Sequence, residues 1–123
     1  MRHPDHAEIR QRLRAHPSGG ALYPIETYLV ALAVEGLAAG VYHYHAPDNC
    51  LEPVSLGARP DQFGPLVLTA TARLDAAALV VLSARWEQPI AKYGERSYRV
   101  MLLDAGHVAQ NLLLVATALG LGG

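Results

Sequence analysis

The chain has 123 residues, 51% of them hydrophobic, and a formal net charge of -1, which suits one globular domain with a modest core and is too little for two. The near-neutral balance gives no overall field for polyanions, so neither nucleic acid nor an anionic membrane is an expected partner. A single cysteine, Cys50, rules out an intrachain disulfide and argues against a site built from thiolates.

The opening MRHPDHAEIRQRLR has charges but no apolar core, so no secretory signal is expected and a reducing, cytoplasmic location fits best. Residues 5–14, DHAEIRQRLR, have helix-forming composition and predict a short helix ended by Pro17, because the residue before a proline avoids helical dihedrals. The stretch RAHPSGGALYP, residues 14–24, then breaks regular structure. The apolar run ETYLVALAV, residues 26–34, predicts a buried strand before Glu35-Gly36.

After Gly40, VYHYH alternates, placing Val41, His43 and His45 on one face and Tyr42 and Tyr44 on the other. A turn at APDN and the segment LEPVSL complete an antiparallel ribbon. Residues 60–73 read as a loose helical connection weakened by Gly64 and Pro65, and AAALVVLSARWE, residues 76–87, reads as a central strand bounded by Pro89.

From Ser97 to Leu121 the apolar residues Val100, Leu103, Val108, Leu112, Leu113, Val115 and Leu119 keep a helical rhythm, stopped by Gly120, Gly122 and Gly123. Asp104, His107 and Asn111 form a polar line on that helix, too polar with Arg99 and Gln110 for an unassisted membrane span. Gly106 lies mid-helix, where it costs about 1 kcal/mol relative to alanine, and close helix–helix contact across a dimer interface is its natural use. The elements together predict an α+β domain.

Three constellations could carry chemistry. Pro17-Ser18-Gly19-Gly20 offers unencumbered backbone N–H groups and a hydroxyl beside Arg14 and His16, suited to a phosphate or a polar ring edge and equally to a tight turn. Neither GxxxxGK[ST] nor GxGxxG is present. Lys92, the only lysine, adjoins Tyr93 after a strand and could form a proton-transfer pair or lie solvated at the surface. His43 and His45 could be two legs of a metal site, but no third ligand is evident beyond a weak candidate in Asp48, so no metal site is assigned. A Ser18–His107–Asp104 arrangement is conceivable and lacks a GxSxG elbow.

Taken in order, R-x-x-P-S-G-G-A-L-Y-P, G-V-Y-H-Y, K-Y-G-E-R-S-Y-R and D-A-G-H-V-A-Q-N-L resemble the nitroreductase-like flavoproteins. The branch they resemble is the SagB type, which contains azoline dehydrogenases of peptide natural-product pathways and oxidase domains of nonribosomal peptide synthetases. The resemblance implies a mostly antiparallel sheet flanked by helices, with the long core helix at a homodimer interface holding two FMN molecules. It implies that Arg14, Pro17, Ser18, Gly19 and Gly20 line the flavin, that Leu121, Gly122 and Gly123 approach its ring, and that Lys92 and Tyr93 transfer protons.

The implied activity is FMN-dependent dehydrogenation of a thiazoline or oxazoline ring in a peptide or small molecule, with oxygen reoxidising the flavin. Residues 1–123 read as one such domain, shortened at both ends relative to the family, with Arg10 and Arg12 standing in for an arginine-rich N-terminal motif. The alternatives are a flavin-free dimerisation or scaffold subunit of this fold, and a fragment of a longer flavoenzyme.

Overall fold

A computed structural model describes residues 13–63 and 76–122. Most of the predicted N-terminal helix, part of the loose connection and Gly123 lie outside the described residues. Those described fall into two compact units, 26–63 with 76–83 and 13–25 with 84–122.

The first unit is built on a four-stranded sheet of order β3-β2-β1-β4, with β1 Ile25–Ala31, β2 Gly40–His45, β3 Cys50–Leu56 and β4 Ala78–Ala84. β1 pairs antiparallel with β2, Tyr28 opposite His43, and β2 with β3, His45 opposite Cys50. β4 runs antiparallel to β1, since Leu32 donates to the Ala77 carbonyl at one end and Arg85 to that of Pro24 at the other, both at 2.9 Å. Val30, Ala31 and Tyr42 supply the buried hydrophobic side chains here, and the Tyr42 hydroxyl donates to the Ala38 carbonyl at 2.7 Å.

The expected ribbon is present, with its turn at Ala46–Asn49 and Asn49 in the left-handed region. β3 is exposed along its whole length, which is what admits Pro53 to a strand. A bulge at Val41/Tyr42 leaves Val54 unpaired, since Val41 faces Ser55 and Tyr42 faces Pro53. Of the predicted 60–73 connection, Pro60–Phe63 is helical (α1).

The strand predicted over 76–87 is shorter, because a helix, α2, occupies Glu87–Tyr93. Pro89 sits in its first turn, where proline removes no intrahelical bond, and therefore opens a helix instead of bounding a strand. Gly94, at φ 56, breaks the run before a 3-10 turn, Gly94–Arg96, and the long helix α3, Ser97–Ala118. α3 ends in a Schellman motif: Leu121 donates to the Ala116 carbonyl at 2.9 Å and Gly120, at φ 72, to that of Thr117 at 3.1 Å.

Only one narrow stripe of α3 is buried, Ser97, Met101, Asp104 and Val108. Of the apolar residues expected to form a core, Val108 alone is buried, and Leu103, Leu112, Leu113, Val115 and Leu119 are exposed. The helical rhythm was right and its use within the chain was not, because one helix face has room for little beyond α2 and the Gly19–Ala21 turn. Gly106 has nothing within 4 Å of a Cβ placed on it. By length and composition the run Glu87–Ala118 could cross a membrane; the break at Gly94 and the buried, hydrogen-bonded Asp104 mark a helix packed against its own chain.

Candidate functional site

The loop RAHPSGGALYP and the segment bearing Lys92 belong to the same unit, and α3 joins them. Ser18 is extended, and Gly19–Ala21 then makes one 3-10 turn. The Ser18 hydroxyl donates to Asp104 Oδ2, and the Gly19 amide donates to Oδ1 of the same carboxylate at 3.3 Å. Ser18 Oγ also accepts from the Tyr23 amide at 2.9 Å.

These bonds hold an awkward backbone: Gly20, Ala21 and Tyr23 all have positive φ, a conformation that costs a non-glycine residue about 1–3 kcal/mol. Burial of Tyr23 offsets part of that cost. Its ring meets the edge of His16 at 5.4 Å between centroids, and the Arg14 guanidinium lies 5.4 Å from its centre while bonding the Ile25 carbonyl at 3.5 Å.

Gly20 is where loop and helix converge. A Cβ there would collide with Lys92 Nζ and stand 2.5 Å from Tyr93 Oη; one on Gly19 would stand 2.5 Å from Val100 Cγ1. Lys92 Nζ lies 5.5 Å from the Tyr93 ring centre. Two adjacent glycines thus let an ammonium, a phenol and a backbone turn share one exposed spot.

His16 and Asp104 set the local electrostatics. Burial pushes the His16 imidazole down, with Arg14 and His107 adding to the effect and Asp104 opposing it. His16 Nε2 is buried without a hydrogen-bond partner. The conceivable Ser-His-Asp arrangement does not form: Ser18 donates directly to Asp104, and among the described residues no imidazole bonds its hydroxyl.

The structure therefore brings together Ser18, Gly19, Gly20, Lys92 and Tyr93. Arg14 stays with Tyr23 and Ile25, and Pro17 is exposed ahead of Ser18. Leu121, 62% exposed, and Gly122 lie past the far end of α3; from Asp104 to Leu121 a helix rises about 25 Å, so one chain does not place them beside Lys92. Asp104 is the residue whose role sequence reasoning missed. Its signal was the acid on an otherwise apolar helix, taken there as part of a line with His107 and Asn111.

In the other unit His43 Nε2 lies 2.7 Å from Glu26 and Nδ1 3.4 Å from Glu52, and the Glu26 hydrogen bond holds its pKa above the ordinary histidine value. His43 and His45 therefore turn to separate carboxylates, His45 Nδ1 lying 2.9 Å from Asp48.

Comparison with known proteins matches the chain to a family. The nitroreductase family model matches residues 2–123. The microcin B17-processing protein McbC of Escherichia coli is 37% identical over 96% of this chain and 44% of its own length. The trifolitoxin-processing protein TfxB of Rhizobium leguminosarum is 36% identical over 88% of this chain and 30% of its own. A nitroreductase-classed protein of Methanocaldococcus jannaschii is 34% identical over 86% of this chain and 54% of its own. The chain thus spans about a third to a half of the curated relatives it matches.

Two solved structures share its fold. The E. coli microcin synthetase McbBCD complex, with truncated pro-MccB17 bound, matches at TM-score 0.75 and 36% identity over 88% of this chain and 42% of that one. A nitroreductase-classed protein from Anabaena variabilis matches at 0.72 and 32% over 90% and 23%. The α+β, nitroreductase-like fold expected from the motifs is the one found, and the chain belongs to the nitroreductase family.

Proposed function

We propose that this chain is the FMN-dependent part of an oxidoreductase that dehydrogenates thiazoline or oxazoline rings in a peptide, with Lys92 and Tyr93 as its proton-transfer pair. The observation that carries the proposal is the convergence of Gly20, Lys92 Nζ and Tyr93 Oη on one exposed spot. Family members generally bind flavin, and two relatives named for peptide processing retain this much of the sequence.

The donors present fit the polar edge of a flavin ring. A backbone turn at Gly20, a lysine amine and a phenol all carry N–H or O–H donors that ring oxygens and nitrogens accept from. The Ser18 hydroxyl and the Gly19 amide are engaged by Asp104, so their contribution is to hold Gly20 in place, and the adjacent carboxylate disfavours a phosphate there.

Forming an azole from an azoline removes a proton from one ring carbon and a hydride from its neighbour. Bound FMN supplies the hydride acceptor. Lys92, as its neutral amine, takes the proton and becomes the ammonium, and Tyr93 orients the lysine and the ring. Leu121 and Gly122 join the site from a second copy, since about 25 Å of helix rise separates Leu121 from Asp104, which anchors the Gly19–Gly20 turn, in one chain; a homodimer follows.

Protein purified under native conditions is expected to be yellow and to release FMN on denaturation. Colourless protein that takes up no added FMN would overturn the proposal and favour the flavin-free scaffold.

A further inference from the structure

A second group of chemically capable side chains lies in the other unit, at the turn end of the β2–β3 hairpin. His45 and Cys50 are cross-strand partners, and Glu52, two positions along β3, shares the Cys50 face. One ligand atom from each of His45, Cys50 and Glu52 lies within 4.8 Å of the others. Asp48, in the turn between the strands, brings a second carboxylate to 2.9 Å from His45 Nδ1.

We propose that this end of the hairpin binds a borderline-soft divalent cation, Zn2+ by its donors, through His45, Cys50 and Glu52 with Asp48 as the adjoining carboxylate. Imidazole, thiolate and carboxylate are the three ligand types zinc takes, with bonds of about 2.0–2.3 Å, so ligand atoms in a tetrahedral site stand about 3.5 Å apart. The side chains need to close by up to about 1.3 Å, the difference between 4.8 Å and the tetrahedral spacing; Cys50, Glu52 and Asp48 are exposed, and Glu52 exchanges its 3.4 Å approach to His43 for the cation.

The pairing of the histidines supports this choice of ligands. His43 is held by Glu26 at 2.7 Å, while His45 Nδ1 is buried with no hydrogen bond of acceptable geometry despite the nearness of Asp48. A carboxylate beside a ligating imidazole is the usual orienting arrangement at metal sites. The hairpin fixes the spacing: β2–β3 register sets Cys50 opposite His45, and the left-handed Asn49 closes the turn that delivers Asp48.

The chain's single cysteine makes the test specific. Co2+, added to the full chain under a non-chelating reductant, is expected to bind once per chain with a thiolate-to-cobalt charge-transfer band, and Zn2+ is expected to displace it with loss of that band. Cys50→Ser removes the band. Asp48→Asn weakens Zn2+ binding about tenfold, as loss of an orienting carboxylate does, and Cys50→Ser and His45→Ala weaken it more. His43→Gln keeps the band. Cobalt binding without a thiolate band, or unchanged Zn2+ affinity in Cys50→Ser with its native circular dichroism, overturns the proposal. The readout uses neither flavin nor turnover, so it is independent of the proposed activity.

Discussion

Ser18 donates its hydroxyl proton to Asp104, a residue 86 positions further along the chain. This bond ties the loop ahead of β1 to α3, and the Gly19 amide bonds the same carboxylate at 3.3 Å. Asp104 is only 4% exposed, so its charge is stabilised by these donors in place of water.

Removal of the anchor therefore has a measurable cost. Asp104→Ala is expected to destabilise the protein by about 2–3 kcal/mol and Ser18→Ala by about 1–2 kcal/mol, read by urea denaturation. The double variant should cost less than the sum, as residues sharing one hydrogen bond do; strict additivity would show that the two do not interact.

Two glycines with similar dihedrals separate strain from crowding. Gly20 has φ 62 and Gly36 has φ 76, but a Cβ at Gly36 meets nothing within 4 Å. Gly36→Ala should cost about 1 kcal/mol of stability, the low end for left-handed strain, and leave turnover intact. Gly20→Ala should displace Lys92 and Tyr93 and lower azoline oxidation by at least about tenfold, the lower part of what a positioned proton-transfer group contributes. Equal activity in the two variants would show that the contact at Gly20 is not used.

Lys92→Ala is expected to lower azole formation by about 10²–10⁴-fold, the usual contribution of a general base, with bound flavin per chain unchanged in the absorption spectrum. Tyr93→Phe should lose less. Flavin lost together with activity in Lys92→Ala would make Lys92 a binding residue.

The two perturbed histidines give opposite pH dependences. The Glu26 hydrogen bond raises the His43 pKa, so its stabilisation is complete below the unfolded value of about 6.5 and is lost as pH rises through the raised folded value. Burial lowers that of His16, so its stabilisation is present above about 6.5 and is lost as pH falls through the lowered value. Histidine proton chemical shifts should place the two titrations on opposite sides of a model peptide's. His43→Gln should flatten the alkaline side of the melting-temperature profile, and a profile unchanged by it would refute the Glu26 pairing.

Leu103 is 67% exposed and Leu114 59%, on a helix whose single glycine, Gly106, has open space before it. The proposed homodimer covers this face. Sedimentation velocity should give twice the chain mass, and Leu103→Glu with Leu114→Glu should give the monomer; a wild-type monomer at high concentration would refute the second copy.

The sequence alone determined the hairpin, the long helix and the family. Alternation in VYHYH, the turn residues APDN and the helical rhythm after Ser97 are local properties, set by neighbours within a few positions, and the short motifs carry the resemblance. Local rules also account for the missed α2: Pro89 punctuates a strand as readily as it opens a helix, and only the bond from the Ile90 amide to the Trp86 carbonyl, four residues back, shows that a helix has begun. Tertiary structure decided which polar residues meet. Ser18 and Asp104, Gly20 and Lys92, and His43 and Glu26 are contacts of folded chain segments, invisible to periodicity because spacing says which face a residue takes and not what packs against it. The glycine pair in RAHPSGGALYP is the clearest case: sequence marks it as permissive backbone, and the folded chain puts Lys92 and Tyr93 in the space a side chain would have filled.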